Sequence, residues 1–196
     1  MPSPELIRER LSRVQAQVGD GVTVVAATKY VSLRDMAALV EAGVAVVGEN
    51  RAQDLDAKHA EYGDAFRWHF IGQLQSNKAK VVNRICELVH SVDSLSAARR
   101  LEVPMLVQVN LAGEASKAGV VPEELQGYLE FDVRGLSTMP PAAASPEESR
   151  PWFARLRTLA AEHGLLELSM GTTQDFAVAA EEGATHVRVG SILFRD

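Results

Sequence analysis

The residue in this sequence with the clearest chemical potential is a lysine that ends a β-branched run. Lys29 follows Val22-Thr-Val-Val-Ala-Ala-Thr28. An amine in that position is expected to be partly desolvated, which lowers its pKa and frees it to attack a carbonyl as a Schiff-base former. The plainer reading is a solvated lysine closing a strand. The other lysines are placed less well: Lys58 lies in the polar helical stretch 54–61 and reads as solvated, Lys78 and Lys80 open a helix, and Lys117 falls in a loop. A second group comes late in the chain, where Ser169-Met-Gly-Thr-Thr173 is followed by Arg188-Val-Gly-Ser191. Glycines allow close backbone approach, and free N–H groups with hydroxyls suit a phosphate. Thr173 also fits as the cap of the next helix, which would bring the positive end of that helix to the same place. Strand alternation turns Arg188 away from Val187 and Val189, either toward a ligand or into an ion pair with Glu49 or Asp175.

These residues need a scaffold, and the sequence has one rhythm from end to end. Apolar runs at 22–28, 44–47, 66–71, 88–92, 104–109, 133–139, 166–170 and 186–189 alternate with helix-period segments. An amphipathic helix opens the chain over 5–18. Ser32 is placed to cap a helix ending before Gly43, and Ser145-Pro-Glu-Glu148 reads as a capping box for a helix closing at Gly164. A further helix is predicted over 173–182. Eight strands alternating with helices point to a (β/α)8 barrel, with an open doubly wound sheet as the main alternative. In a barrel the functional face lies at the C-terminal ends of the strands. Collecting the residues there gives Lys29, Glu49-Asn50, Gly72, Asn110, Gly171-Thr172-Thr173 and Gly190-Ser191. Walker A, GxGxxG, GxSxG and HExxH patterns do not occur, and His69 on its apolar strand reads as a hydrogen-bonded core histidine.

The chain has 196 residues, 46% hydrophobic and 23% charged, which suits a single domain spanning 1–196 with a real core. Its net charge of −6 argues against general nucleic-acid binding, whose affinity comes from cationic contacts to phosphate. The one cysteine, Cys86, excludes an intrachain disulfide and a cysteine-cluster metal site. No apolar run approaches the ~18 residues of a membrane span, and the N-terminus lacks the apolar stretch of a signal peptide. A soluble cytoplasmic protein with neither membrane nor nucleic-acid partners is expected.

A longer motif then stands out. Trp68-His-Phe-Ile-Gly-Gln-Leu-Gln-Ser-Asn-Lys78 resembles the WHFIGxLQxNK signature of the YggS/PROSC family, the pyridoxal-phosphate homeostasis proteins. Ala27-Thr-Lys29, Gly48-Glu-Asn-Arg51, Gln108-Val-Asn110 with Glu114, Lys117 and Gly119, Arg134-Gly-Leu136, Ser169-Met-Gly171 and Val187-Arg-Val-Gly-Ser191 resemble further family segments in order. The resemblance implies an alanine-racemase-like, fold-type III barrel holding pyridoxal 5′-phosphate (PLP) as an internal aldimine on Lys29. It implies that Thr173, Gly190 and Ser191 hold the phosphate, that Arg188 lies near the pyridine nitrogen, and that Asn50 and His69 line the ring pocket. Where the family usually has Met-Ser this chain has Thr172-Thr173, so either threonine could supply the hydroxyl. Ser137 replaces a usual methionine, the helix after Asp93 is shorter, and the sequence stops at Phe194-Arg-Asp196. The expected function is non-catalytic PLP buffering or delivery by a monomer, with PLP-dependent apoenzymes as recipients. A small fold-type III racemase or lyase using Lys29 as base is the alternative, and a Schiff-base aldolase acting on a sugar phosphate is a third.

Overall fold

The apolar runs pair into parallel strands because each presents one face to covering helices and the other to its neighbours across a closed interior. In this computed structural model, which describes residues 1–114 and 117–195 and so leaves the terminal Asp196 outside, the strands are β1 (Thr23–Ala27), β2 (Val46–Glu49), β3 (Arg67–Phe70), β4 (Leu88–Val92), β5 (Met105–Gln108), β6 (Val133–Ser137), β7 (Glu167–Thr172) and β8 (His186–Val189). Their order around the sheet is their order in sequence, and β1 pairs with both β2 and β8. The barrel is therefore closed, and the open doubly wound sheet is excluded.

The covering helices are α1 (Pro4–Val18), α2 (Met36–Ala42), α3 (Ala52–Tyr62), α4 (Ala79–Ile85), α5 (Leu95–Ala98), α6 (Arg150–Glu162), α7 (Phe176–Glu181) and α8 (Ser191–Phe194), with 3-10 turns between several elements. Among the described residues no helix is long and apolar enough to cross a membrane. Three helix starts differ from the sequence expectation. The segment after Ser32 makes a turn, in which the Ser32 hydroxyl accepts the Asp35 N–H at 3.2 Å, and α2 begins only at Met36. The 145–164 segment enters α6 through a 3-10 turn at Pro146–Ser149. There the Ser145 hydroxyl donates to Glu148 (3.1 Å) instead of capping the backbone. Finally, α7 begins at Phe176 with Asp175 in the cap position, so Thr173 is released from capping.

Two interiors result. Between strands and helices runs a continuous apolar layer that includes Ile7, Leu39, Leu55, Phe70, Val82, Phe153 and Leu156, each such side chain stabilising the fold by about 1.5–3 kcal/mol when fully buried. Inside the barrel lie Val25, Val46, Leu88 and Leu106, buried but outside that layer. A Cβ on Gly48 would press on Val25 and Ile71, which places all three on the inner face. Helix α1 ties the last turn down: the Arg10 guanidinium donates to the carbonyls of Leu193 (3.2 Å) and Arg195 (2.5 Å).

Candidate functional site

At the C-terminal mouth of the barrel lies a cavity of about 750 Å³. Lys29, Asn50, Thr172, Thr173, Arg188, Gly190 and Ser191 all line it, brought from the ends of β1, β2, β7 and β8. Ile71, Gly72, Gln108 and Met139 fill the wall between them. Gly72 is required there, since any Cβ would overlap the main chain of Asn50. Of the two readings of Lys29, the solvated one holds and the desolvated one does not: the residue is exposed. Its Nζ sits 4.7 Å from the ring centre of Tyr30, itself 85% exposed. The short turn after β1 carries Lys29 out of the apolar layer, and its amine faces water and the cavity together.

Opposite the lysine the main chain forms a cradle. The Thr173 hydroxyl oxygen accepts the N–H of Gly190 at 3.2 Å and of Ile192 at 3.5 Å, which leaves its own proton to donate. The Thr172 hydroxyl is already spent, donating to Asp175 at 3.1 Å, and Asp175 also accepts the Thr172 N–H at 2.7 Å. A Cβ on Gly190 would lie 3.3 Å from the Ala27 carbonyl oxygen, filling space that the glycine leaves open. Gly171 has φ +89° and packs so close to α7 that a Cβ would strike Ala179. A hydroxyl proton, the Ser191 hydroxyl and a glycine that leaves room suit a phosphate.

Arg188 forms the inner wall. It is buried, and its Nη2 donates to the Thr138 carbonyl at 3.0 Å and contacts the Met139 sulfur at 3.1 Å. Burial pulls its pKa down to about 10, against the charge of Asp175, which pushes it up. The guanidinium thus keeps its charge at neutral pH. Among the described residues neither Glu49 nor Asp175 forms a salt bridge with it, so the ion-pair alternative does not hold and a main-chain carbonyl is its partner.

The alanine racemase N-terminal domain family matches residues 3–196. The pyridoxal phosphate homeostasis protein of Aquifex aeolicus is 36% identical over 96% of this chain and 94% of its own length, and that of Pseudomonas aeruginosa is 41% identical over 78% and 75%. The chain belongs to the pyridoxal phosphate homeostasis protein family. PipY of Synechococcus elongatus, solved with PLP bound, superimposes with a TM-score of 0.87 at 35% identity, covering 96% of this chain and 99% of PipY. The alanine racemase of Clostridium difficile gives a TM-score of 0.78 at 13% identity, covering 97% of this chain and 56% of the racemase; that likeness shows a shared barrel.

In this homeostasis-family protein His69 does not line the cavity. It sits one layer below, inside the barrel, where its Nδ1 hydrogen-bonds His90 Nε2 at 2.8 Å and His90 Nδ1 bonds the Ser169 hydroxyl at 2.7 Å. His186 packs against both rings, at 5.9 and 5.2 Å between centres. Burial is the main cause that holds these imidazoles neutral: His69 falls to about 3, His186 to about 4 and His90 well below its usual value. The strand was read correctly as carrying a hydrogen-bonded core histidine, whereas the ring-pocket assignment is corrected. No group of His, Cys, Asp and Glu among the described residues could hold a metal.

Lys58 overturns another expectation. Far from being solvated, it is 5% exposed and pairs with Glu49, which is fully buried. It also donates to the Thr28 carbonyl at 2.8 Å. The sequence held a signal for this: Ala52, Leu55 and Lys58 recur at a spacing of three on α3 and form its buried face. Polar composition around Lys58 hid the pattern.

Proposed function

We propose that this chain binds PLP through Lys29 and holds it for delivery to PLP-dependent apoenzymes, without turnover of its own. The observation that carries the reading is a primary amine facing an anion cradle across one cavity of about 750 Å³. The residues fit the group: Thr173, Gly190 and Ser191 suit its phosphate, Asn50 the side of its ring and Arg188 its pyridine nitrogen. When bound, the cofactor would supply an aldehyde, and Lys29 would supply the amine that holds it. The chain's own residues then do simple work. The cradle suits an anion by hydroxyl donation, Arg188 keeps a fixed positive charge at the inner wall, and the exposed position of Lys29 leaves its amine open to solvent.

That openness supports delivery over catalysis, since controlled carbanion chemistry needs water excluded. Likeness to a homeostasis protein over 94% of the Aquifex relative's length supports the same side. The test is borohydride reduction of PLP-treated protein followed by peptide mass analysis. Wild type is expected to carry the adduct on Lys29, and Lys29→Ala to stay colourless. A wild type that takes up no PLP, or an adduct on another lysine, overturns the binding reading. Amino-acid racemisation faster than free PLP would overturn the non-catalytic reading.

A further inference from the structure

The buried Lys58 and Glu49 lie on the outer side of β1 and β2, away from the cavity, and they act on the peptide that carries Lys29. The Thr28 carbonyl accepts the Val31 N–H at 2.9 Å, closing a turn in which Lys29 and Tyr30 are the corners. Lys58 Nζ donates to that same carbonyl at 2.8 Å. The Thr28 hydroxyl donates to Glu49 Oε1 at 2.5 Å, and its N–H bonds the Gly48 carbonyl at 3.0 Å. Thr28 is thus gripped at its N–H, its hydroxyl and its carbonyl, and it is fully buried while its neighbour Lys29 is exposed. Among the described residues the Lys29 amine has no hydrogen-bond partner, only the Tyr30 ring. Its aim is set by the main chain.

A buried ion pair is a costly way to attach a helix to a sheet. Apolar residues of similar volume often stabilise as well or better. Here the cost is visible, because Glu49 Oε2 is buried with no hydrogen-bond partner. What apolar residues would not supply is a charged donor on the Thr28 carbonyl.

We infer that Lys58 and Glu49 are positioning residues that lock the Thr28–Val31 turn and so fix the direction in which Lys29 presents its amine. The inference rests on the proposed bond between Lys29 and PLP, and the test separates the two. Lys58→Met alone would leave Glu49 charged and unpaired, so the informative protein is the double variant Lys58→Met with Glu49→Gln, which removes both charges together. Three quantities are read on the full chain: total PLP retained after dialysis, the rate at which borohydride-reducible PLP appears on Lys29, and hydrogen exchange of the Val31 amide without PLP. In the double variant the Val31 amide is expected to exchange faster. The Lys29 adduct should form about ten- to a hundredfold more slowly, up to the scale of loss when a reacting group is misplaced, while PLP retained by the cradle stays near wild type. Unchanged Val31 exchange overturns the inference whatever the cofactor does. Wild-type adduct rates overturn it too, as does a loss of total PLP in proportion to the adduct, which would mark a purely structural pair. A wild type without an adduct on Lys29, but with Val31 exchange faster in the double variant, overturns the Lys29 reading and leaves a clamp on the turn.

Discussion

Two adjacent threonines show how one hydrogen bond divides equivalent side chains. Thr172 and Thr173 carry the same hydroxyl, but Asp175 takes the first, and the N–H groups of Gly190 and Ile192 orient the second toward the cradle. Thr173→Val should weaken PLP binding by about ten- to a hundredfold, since a hydrogen bond to a charged group contributes about 1.5–3 kcal/mol. Thr172→Val should leave affinity within about threefold, because only an internal bond is lost. Titration followed by visible absorbance distinguishes them, and equal losses would contradict the division. The choice between the two was not legible in the sequence: both candidates had the right chemistry, and the bond to Asp175 together with the approach of the loop after β8 separates them.

At the level of the element, the strand ends carry the site and the connections set where each end points. Gly72 closes β3 against the main chain of Asn50, where any added Cβ overlaps backbone atoms that cannot rotate away. Gly72→Ala should cost about 1–3 kcal/mol, as overpacking does, and should displace Asn50 from the cavity wall. Urea unfolding checks this: the midpoint should fall with the slope unchanged. A midpoint equal to wild type would contradict the close approach. Strand existence and order were legible because eight β-branched runs alternate with helix-period segments, and the period-two and period-three signals are local. Helix starts were less so. Ser32 and Ser145 both looked like caps, yet each hydroxyl donates to the acid three residues on, and only Ser32 also accepts a main-chain N–H, in a turn and not at a helix start. Lys58 was misplaced because its local composition is polar while its spacing from Ala52 and Leu55 follows the buried face of α3.

At the scale of the whole molecule, the closed barrel encloses a storey of neutral histidines beneath the cavity. His69 from β3, His90 from β4 and His186 from β8 meet there, with Ser169 from β7 bonded to His90 and the charges of Arg67 and Arg188 adding to the effect of burial. In the unfolded chain these groups titrate near the usual 6.5, whereas in the folded barrel His69 waits until about 3 and His186 until about 4. Within that window the unfolded chain binds more protons than the folded one, so stability rises with pH there. It should be fully present above about pH 6.5, fall steadily on acidification, and level off for each group once the folded form also protonates. Thermal unfolding across this range should show proton uptake approaching three per molecule. Uptake below one would mean that water or rearrangement relieves the burial.

The sequence by itself determined the alternation of elements, the amine after the first strand and the glycine-hydroxyl loops after the last two, because each is encoded within a few neighbouring residues. It also carried the family, through motifs spread in order along most of the chain. Only the tertiary structure decided which threonine faces the cradle, that Lys29 is open to water, that His69 belongs to the storey below, and that Lys58 holds the turn beneath the amine. Those outcomes depend on contacts between residues far apart in the sequence, such as His90 with Ser169 and His69 with His186. In a closed barrel, partners of that kind meet only when the ring of strands has closed.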